Sequence, residues 1–329
     1  MPERILDLTS GVTMVVSDIH GDKDAFARYA SRFLRLRATK KVDRMLLLGD
    51  IVHSEGSADQ DESLAIMLDI MRMQKVLPPH SVVALLGNHE MPHIYGVTLA
   101  KGRIEYTPRF EKAMADSGKR DEVIAFMQDM PFYVRTASGV MFTHAGPHGS
   151  ATANIDVIRN FDHQHILEEF DQLLRSNPQP EQLRTLYGKT MGMSYETLAK
   201  YYLAVNTPDD PRYDHLVRAM MISQQSREFE LLWDILFTRC ELGLPLPLYQ
   251  RTLATFLDAF SVDAPTHQRF LVTGHIPVNG GHTVVTDSHL RIASAAHARP
   301  REAGEYLMID LGKPVENMAA LEGMLECVF

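Results

Sequence analysis

The chain has 329 residues, of which 45% are hydrophobic and 23% charged, and its formal net charge is -9. That is the composition of an ordinary globular protein. The acidic balance excludes a non-specific binder of duplex nucleic acid, which would carry a basic surface. Cys240 and Cys327 are the only cysteines. They are too few and too far apart for a disulfide framework, which favours a reducing compartment. The N-terminal residues lack a signal-length apolar core, and no run approaches the roughly 18 apolar residues of a membrane span. A soluble, cytoplasmic protein with no membrane partner is expected.

In chain order, Val12 to Ser17 is short, apolar and β-branched and reads as a buried strand. Asp22 to Arg37 carries Phe26, Tyr29, Ala30, Phe33 and Leu34 at helical spacing, which predicts a helix burying that side. Asp43 to Leu48 reads as a second strand, and Ser63 to Lys75 as a Met-rich helix stopped by Pro78-Pro79. Ser81 to Leu86 reads as a third strand. This β-α-β-α-β rhythm predicts a parallel sheet with helices on its faces. Phe132 to Thr136 and Val140 to Thr143 form a hairpin pattern around Ser138-Gly139.

From residue 151 to 265 strand patterns give way to helical stretches separated by proline-containing breaks. This predicts a helical insert or cap of about 115 residues, far longer than a loop. Strands return at Phe270 to Thr273, Thr283 to Thr286, Leu290 to Ala293 and Tyr306 to Ile309. Too few to stand alone, they are expected to complete the early sheet. The division expected is therefore a core of 1–150 and 266–329, interrupted by 151–265.

Most of these strands end in a polar group. Asp18-Ile19-His20 follows the first, Gly49-Asp50 the second, and Gly87-Asn88-His89-Glu90 the third. His144-Ala145-Gly146 and Gly274-His275 follow later ones. Ligands of open α/β sheets gather outside the carboxyl ends of the strands. Asp18 and His20, two apart at an extended strand end, face the same way and can grip one ion. Asp50 offers a carboxylate able to bridge two cations, Asn88 a neutral oxygen, and His144 and His275 ring nitrogens. Mixed oxygen and nitrogen donors favour manganese, iron or zinc. Singly, each residue reads as a cap, a turn or a hydrogen-bonded histidine. It is the ordered series that points to two metal ions, and paired metals suit in-line displacement at phosphorus.

Taken together, Asp18-Ile19-His20-Gly21-Asp22, Gly49-Asp50, Gly87-Asn88-His89-Glu90, His144-Ala145-Gly146 and Gly274-His275 resemble the motifs of calcineurin-like metallophosphoesterases. The resemblance covers residues 12–147 and 268–310. It implies an α/β fold, a four-layer α/β/β/α sandwich with a dinuclear site. In that site Asp18, His20 and Asp50 would hold one metal, and Asp50, Asn88, His144 and His275 the other. A hydroxide between the ions would attack phosphorus, and His89 would protonate the leaving oxygen.

Gly274-His275-Ile276-Pro277-Val278 further resembles the branch of phosphoprotein phosphatases and symmetrical diadenosine tetraphosphatases. Pro277 stands where many relatives have a second histidine, so the first metal is left with three protein ligands. The chain departs from that branch after Asp50. His53 stands where an acidic residue would support the general acid, and Ser54 where an arginine would grip phosphate. Arg239, in a segment resembling the branch's tryptophan-containing one, is the replacement anchor expected; Arg103, Arg291, Arg299 and Arg301 are weaker candidates. Asn88, His53 and His148 are further candidates for lining the substrate pocket.

Two other patterns lead nowhere. Gly188-Lys189-Thr190 lacks the upstream glycine and strand of a P-loop. His163-Gln164-His165 reads as a solvated helix face. The activity expected is a phosphomonoesterase acting on a phosphorylated small molecule, nucleotide or phosphoprotein. The alternatives are a diadenosine-tetraphosphatase-like pyrophosphohydrolase or phosphodiesterase, and a non-enzymatic scaffold on the same fold.

Overall fold

A computed structural model of the chain describes residues 2–57, 60–101 and 104–329. The strands in chain order are β1 (Ile5–Leu8), β2 (Val12–Val16), β3 (Arg44–Leu47), β4 (Val82–Ala84), and the two-residue pair β5 (Ala100–Lys101) and β6 (Ile104–Glu105). After them come β7 (Tyr133–Thr136), β8 (Val140–Thr143), β9 (Phe270–Thr273), β10 (Val278–Asn279) and β11 (His282–Thr286). The last are β12 (His289–Ile292), β13 (Ala298–Arg299), β14 (Glu305–Asp310) and β15 (Leu325–Cys327).

Two mixed sheets dominate. One has the order β1-β7-β8-β9-β12-β11 and the other β15-β14-β2-β3-β4. Alternating side chains explain why they stack. Val15, Leu46, Val83 and Leu307 of one sheet meet Val140, Phe142, Val272 and Leu290 of the other in a shared inner core. Their neighbours Met14, Val16, Met45, Leu47, Val82 and Ala84 point the opposite way, as the two-residue period of a strand requires. They pack under the helices Lys23–Ala38 and Ser63–Val76, which contribute Phe26, Tyr29, Phe33, Ile66 and Ile70. Each such side chain taken fully from water contributes about 1.5–3 kcal/mol. The result is the four-layer α/β/β/α sandwich that the motifs imply.

Several details differ from the sequence expectation. β2, β3 and β4 are parallel, but β14 joins β2 antiparallel. Only β14, with β15 beyond it, completes the early sheet; β9, β12 and β11 extend the β7-β8 hairpin into the second one. β1 carries no strong strand pattern, yet it pairs in parallel with β7. The buried Arg4 before it donates to the carbonyls of Phe161 (2.8 Å) and Met130 (3.0 Å). Leu34 is 45% exposed, because it lies a helical step around from the buried line of Phe26, Tyr29 and Phe33.

Between β8 and β9 the described chain is helical, from Gly149–Ala153 to Leu246–Ser261. Phe161, Ile166, Phe170, Phe229, Phe256 and Phe260 from this segment belong to the same core as the outer face of the six-stranded sheet. Tyr133 of β7 meets Phe260 with ring centroids 4.6 Å apart. Tyr195, Leu198, Tyr213 and Leu216 form a smaller core of their own. One part of the segment thus supplies the outer helical layer, and another stands off from it. His163, expected on a solvated face, is buried with its Nδ1 2.8 Å from the Tyr95 hydroxyl; His165 is exposed. Among the described residues no helix is long and apolar enough to cross a membrane.

Candidate metal centre

The chain leaves β2, β3 and β4 of one sheet and β8, β9 and β12 of the other at a common edge. Asp18 and His20 follow β2, Asp50 follows β3, Asn88 follows β4, His144 follows β8 and His275 follows β9. The loop after β12 adds His297, which no sequence motif marks. Asp18, His20 and His297 offer ligand atoms within 4.8 Å of one another, as do Asp50, His144 and His275, and also His20, Asp50 and His89. Every predicted ligand is buried: Asp18 and His144 at 0% exposure, Asp50 at 1% and Asn88 at 5%.

The loops are held in costly conformations. His20, Asp50, His53 and His275 have φ of 47°, 50°, 74° and 73°, a left-handed region costing a non-glycine residue about 1–3 kcal/mol. Hydrogen bonds offset this. The amides of Ile19 and His20 both donate to the Asp50 carbonyl, at 3.0 and 2.9 Å. The fully buried Glu90 carboxylate accepts four backbone N–H groups, from Gly87 (3.0 Å), Asp50 (3.0 Å), Ile51 (2.8 Å) and Val52 (3.2 Å). Glu90 therefore clamps the β3 loop to the β4 loop. Close approach also dictates Gly87, where a Cβ would lie 2.3 Å from the Asp50 nitrogen and 2.4 Å from its Oδ1. At Gly274 a Cβ would lie 2.3 Å from Asp18 Oδ2. The His275 amide can then donate to both Asp18 carboxylate oxygens at 3.0 Å.

The donor atoms fit metal ions. Burial pushes His144 down to about 4, so its ring is neutral and carries one proton. Its Nδ1–H donates to the Leu48 carbonyl at 2.9 Å, which leaves Nε2 bare. That bare nitrogen faces Asn88 Oδ1 at 2.8 Å and Asp50 Oδ1 at 3.5 Å. Acceptors converging on acceptors are what a cation accommodates. His275 Nδ1 joins them, 3.1 Å from His144 Nε2. On the other side of Asp50, His20 donates its Nδ1–H to the Val52 carbonyl (3.2 Å) and turns Nε2 to Asp50 Oδ2 (3.6 Å). His297 Nδ1 is buried 3.2 Å from Asp18 Oδ1 and has no hydrogen-bonding partner among the described residues. Charge points the same way. Burial first, then the Glu90 and Asp18 carboxylates, push Asp50 well above the ordinary carboxylate value. Three buried carboxylates among neutral imidazoles call for positive charge.

His89 lies beside the cluster, with Nε2 4.0 Å from Asp50 Oδ2, and its amide donates to Asp50 Oδ1 at 2.9 Å. Burial, then the imidazoles of His20 and His53, push it well below its ordinary value. His53 is within hydrogen-bonding distance of it, Nδ1 to Nδ1 at 3.1 Å, so His53 stands behind His89 rather than at the opening.

The candidate anchors separate clearly. Arg239 is exposed and lies at the cluster, its Nε 3.5 Å from His275 Nε2. Arg291 is buried against Glu241. Arg301 is paired with Asp22 and Asp24, and Arg299 binds the carbonyls of Ala296 and Ala298. Arg103 lies outside the described residues. His148 caps the helix Gly149–Ala153 through the Ser150 amide and lies 3.7 Å from Asp234.

The family comparison agrees with this site. A family model described as calcineurin-like phosphoesterase matches residues 12–210, more than half of the chain. The chain belongs to that family. Together with the buried His/Asp clusters, this makes it a metallophosphoesterase, a hydrolase with a site for two metal ions. Among solved structures, it is similar to a protein serine/threonine phosphatase from Saccharomyces cerevisiae, at 12% identity over 94% of this chain and 77% of that one, with a TM-score of 0.49. It is also similar to a cold-active protein tyrosine phosphatase, at 14% identity over 98% and 82%, TM-score 0.44. A metallophosphoesterase from Sphaerobacter thermophilus matches at 12% identity over 95% and 92%, TM-score 0.32. No curated protein matches the chain.

Proposed function

We propose that the chain is a metal-dependent phosphomonoesterase. Asp18, His20, Asp50 and His297 would hold one ion, and Asp50, Asn88, His144 and His275 the other. The observation that carries this reading is the linking of the clusters Asp18-His20-His297 and Asp50-His144-His275 through the group of His20, Asp50 and His89. Bound there, two ions would lower the pKa of an attacking water and stabilise charge on the phosphoryl oxygens. Mixed imidazole and carboxylate donors suit manganese, iron or zinc.

The chain's own groups would do the rest. Arg239 supplies the exposed positive charge beside His275 and would grip a terminal phosphoryl group in the place where Ser54 offers no guanidinium. His89 would give a proton to the leaving oxygen. The pairing of Gly274-His275 with Pro277 and the Gly87-Asn88-His89-Glu90 motif favour the branch of phosphoprotein phosphatases and diadenosine tetraphosphatases. The helical segment 151–265, which carries Arg239, would border the substrate and limit its size.

The test is a substrate panel with manganese-loaded protein. Turnover of p-nitrophenyl phosphate with bis(p-nitrophenyl) phosphate and diadenosine tetraphosphate nearly inert is expected. Preference for either of the latter two would overturn the monoesterase reading in favour of a phosphodiesterase or a pyrophosphohydrolase.

A further inference from the structure

His89 is the outer end of a buried chain of polar groups that its proposed role does not use. Behind it, His53 Nε2 lies 2.6 Å from His93 Nε2. His93 Nδ1 lies 2.8 Å from Glu111 Oε1, and Arg120 donates through Nε to Glu111 Oε2 at 2.8 Å. His53 is 0% exposed, and His93 and Glu111 are each 1% exposed. Tyr106 stacks on His53 with its ring 5.2 Å away and 8° from parallel, and Phe110 sets its edge against His93 at 4.8 Å. The chain thus runs His89, His53, His93, Glu111, Arg120, walled by aromatic rings.

Proton counting gives this chain a direction. An ionised carboxylate only accepts, so His93 must donate through Nδ1. Its Nε2 is then bare and accepts from His53 Nε2–H. His53 Nδ1 is bare in turn and accepts from His89 Nδ1–H. With three neutral rings, all three ring protons are committed, and the one open position is His89 Nε2, the nitrogen that faces Asp50 and the metal cluster. Glu111 holds the fixed end. Burial acts to raise its pKa, but the hydrogen bond from His93 and the charge of Arg120 outweigh burial and hold it below the ordinary glutamate value.

We propose that Glu111 is a positioning residue which, through His93 and His53, holds the ring of His89 with Nε2 open to the leaving oxygen. The proposal rests on the reading of His89 as the general acid. As the general acid, His89 carries on Nε2 the proton that it gives. In turnover the bond from phosphorus to the leaving oxygen breaks and that oxygen takes the proton from Nε2. A bond from phosphorus to the oxygen of water forms, and the proton that this water gives up restores the count. The sum is ester plus water to alcohol plus phosphate. Such delivery matters most for phosphomonoesters with basic leaving groups, which makes unactivated aryl and alkyl phosphates the substrate class served by the chain.

The test compares p-nitrophenyl phosphate, whose leaving group departs without a proton, with phenyl phosphate, whose leaving group is more basic. Both are assayed with the full-length manganese-loaded protein. Glu111→Gln is expected to lower kcat on phenyl phosphate by about 10–100-fold. On p-nitrophenyl phosphate the loss should stay under about threefold, with KM and bound manganese unchanged. His93→Gln, whose amide can bridge its neighbours in either orientation and so no longer fixes the direction of the chain, should show the same bias and covers a failure of the first variant to fold. An equal loss on both esters, or none on either, would overturn the proposal. His89→Asn separates the two readings: if it lacks the bias, the acid role of His89 falls. If it has the bias and both Glu111→Gln and His93→Gln lack it, only the positioning role falls.

Discussion

His297 Nδ1 lies 3.2 Å from Asp18 Oδ1, bringing the loop after β12 against the first motif of the chain. In the proposed first ion site, that contact would add a buried imidazole from an unrelated loop to Asp18, His20 and Asp50, where Pro277 offers none.

His297→Ala should therefore weaken one of the two ions selectively. Loss of an outer partner of a ligand costs about 10–100-fold in affinity, and loss of a ligand costs no less. Calorimetric titration of metal-free protein with manganese should show one site weakened by at least about tenfold and the other preserved. Two sites identical to those of the unaltered protein would rule His297 out as a ligand.

Glu90→Gln tests the clamp between the β3 and β4 loops. A glutamine has one acceptor oxygen, and its amide group would face backbone N–H donors that the carboxylate now accepts. Leaving buried N–H groups unpaired should cost about 2–4 kcal/mol. Urea unfolding of the metal-free protein measures it, and an unmoved midpoint would mean that the loops are held by something else.

Arg239→Ala should raise KM for p-nitrophenyl phosphate by about tenfold, the worth of one charged hydrogen bond of about 1.4 kcal/mol, with a smaller effect on kcat. Arg239→Lys should restore only part of it, because an ammonium lacks the planar fork of a guanidinium. An unaltered KM in the alanine variant would remove Arg239 from the substrate.

The pattern of what the sequence discloses follows from distance along the chain. Asp18, Asp50, Asn88, His144 and His275 are legible because each stands within a few residues of a strand end, often beside a glycine that allows close approach. His297 is not, because only a contact between loops brings Ser294-Ala295-Ala296-His297 to Asp18. Glu90 lies inside a recognisable motif, but its work is done on amides of another loop. His53 reads as a substituted acidic position, yet a buried carboxylate, Glu111, lies one imidazole beyond it and on a different helix. β1 escapes notice because a four-residue strand containing Asp7 has little pattern of its own until β7 pairs with it. The burial of His163 is hidden in the sequence because its neighbours there are polar, while Tyr95 and Phe161 bury its face of the helix.

Asp50→Asn and His89→Asn should both nearly abolish turnover of phenyl phosphate, but for reasons that stability measurements separate. His89→Asn removes the proton donor, a loss of about 10²–10⁴-fold, and should leave manganese binding and its thermal stabilisation in place. Asp50→Asn removes the shared ligand, so manganese should no longer raise the unfolding temperature. In metal-free protein the sign reverses. Burial, with Glu90 and Asp18 nearby, raises the folded pKa of Asp50 above its unfolded value. Its contribution is thus fully present below the unfolded pKa and is lost as pH rises through the folded one. An asparagine does not ionise, so above that window the metal-free Asp50→Asn variant should be the more stable of the two proteins, with a flatter dependence of stability on pH. Denaturant midpoints across the pH range, taken in chelator, check this. A metal-free variant less stable than the unaltered protein at neutral pH would show that Asp50 does not carry the unfavourable buried charge.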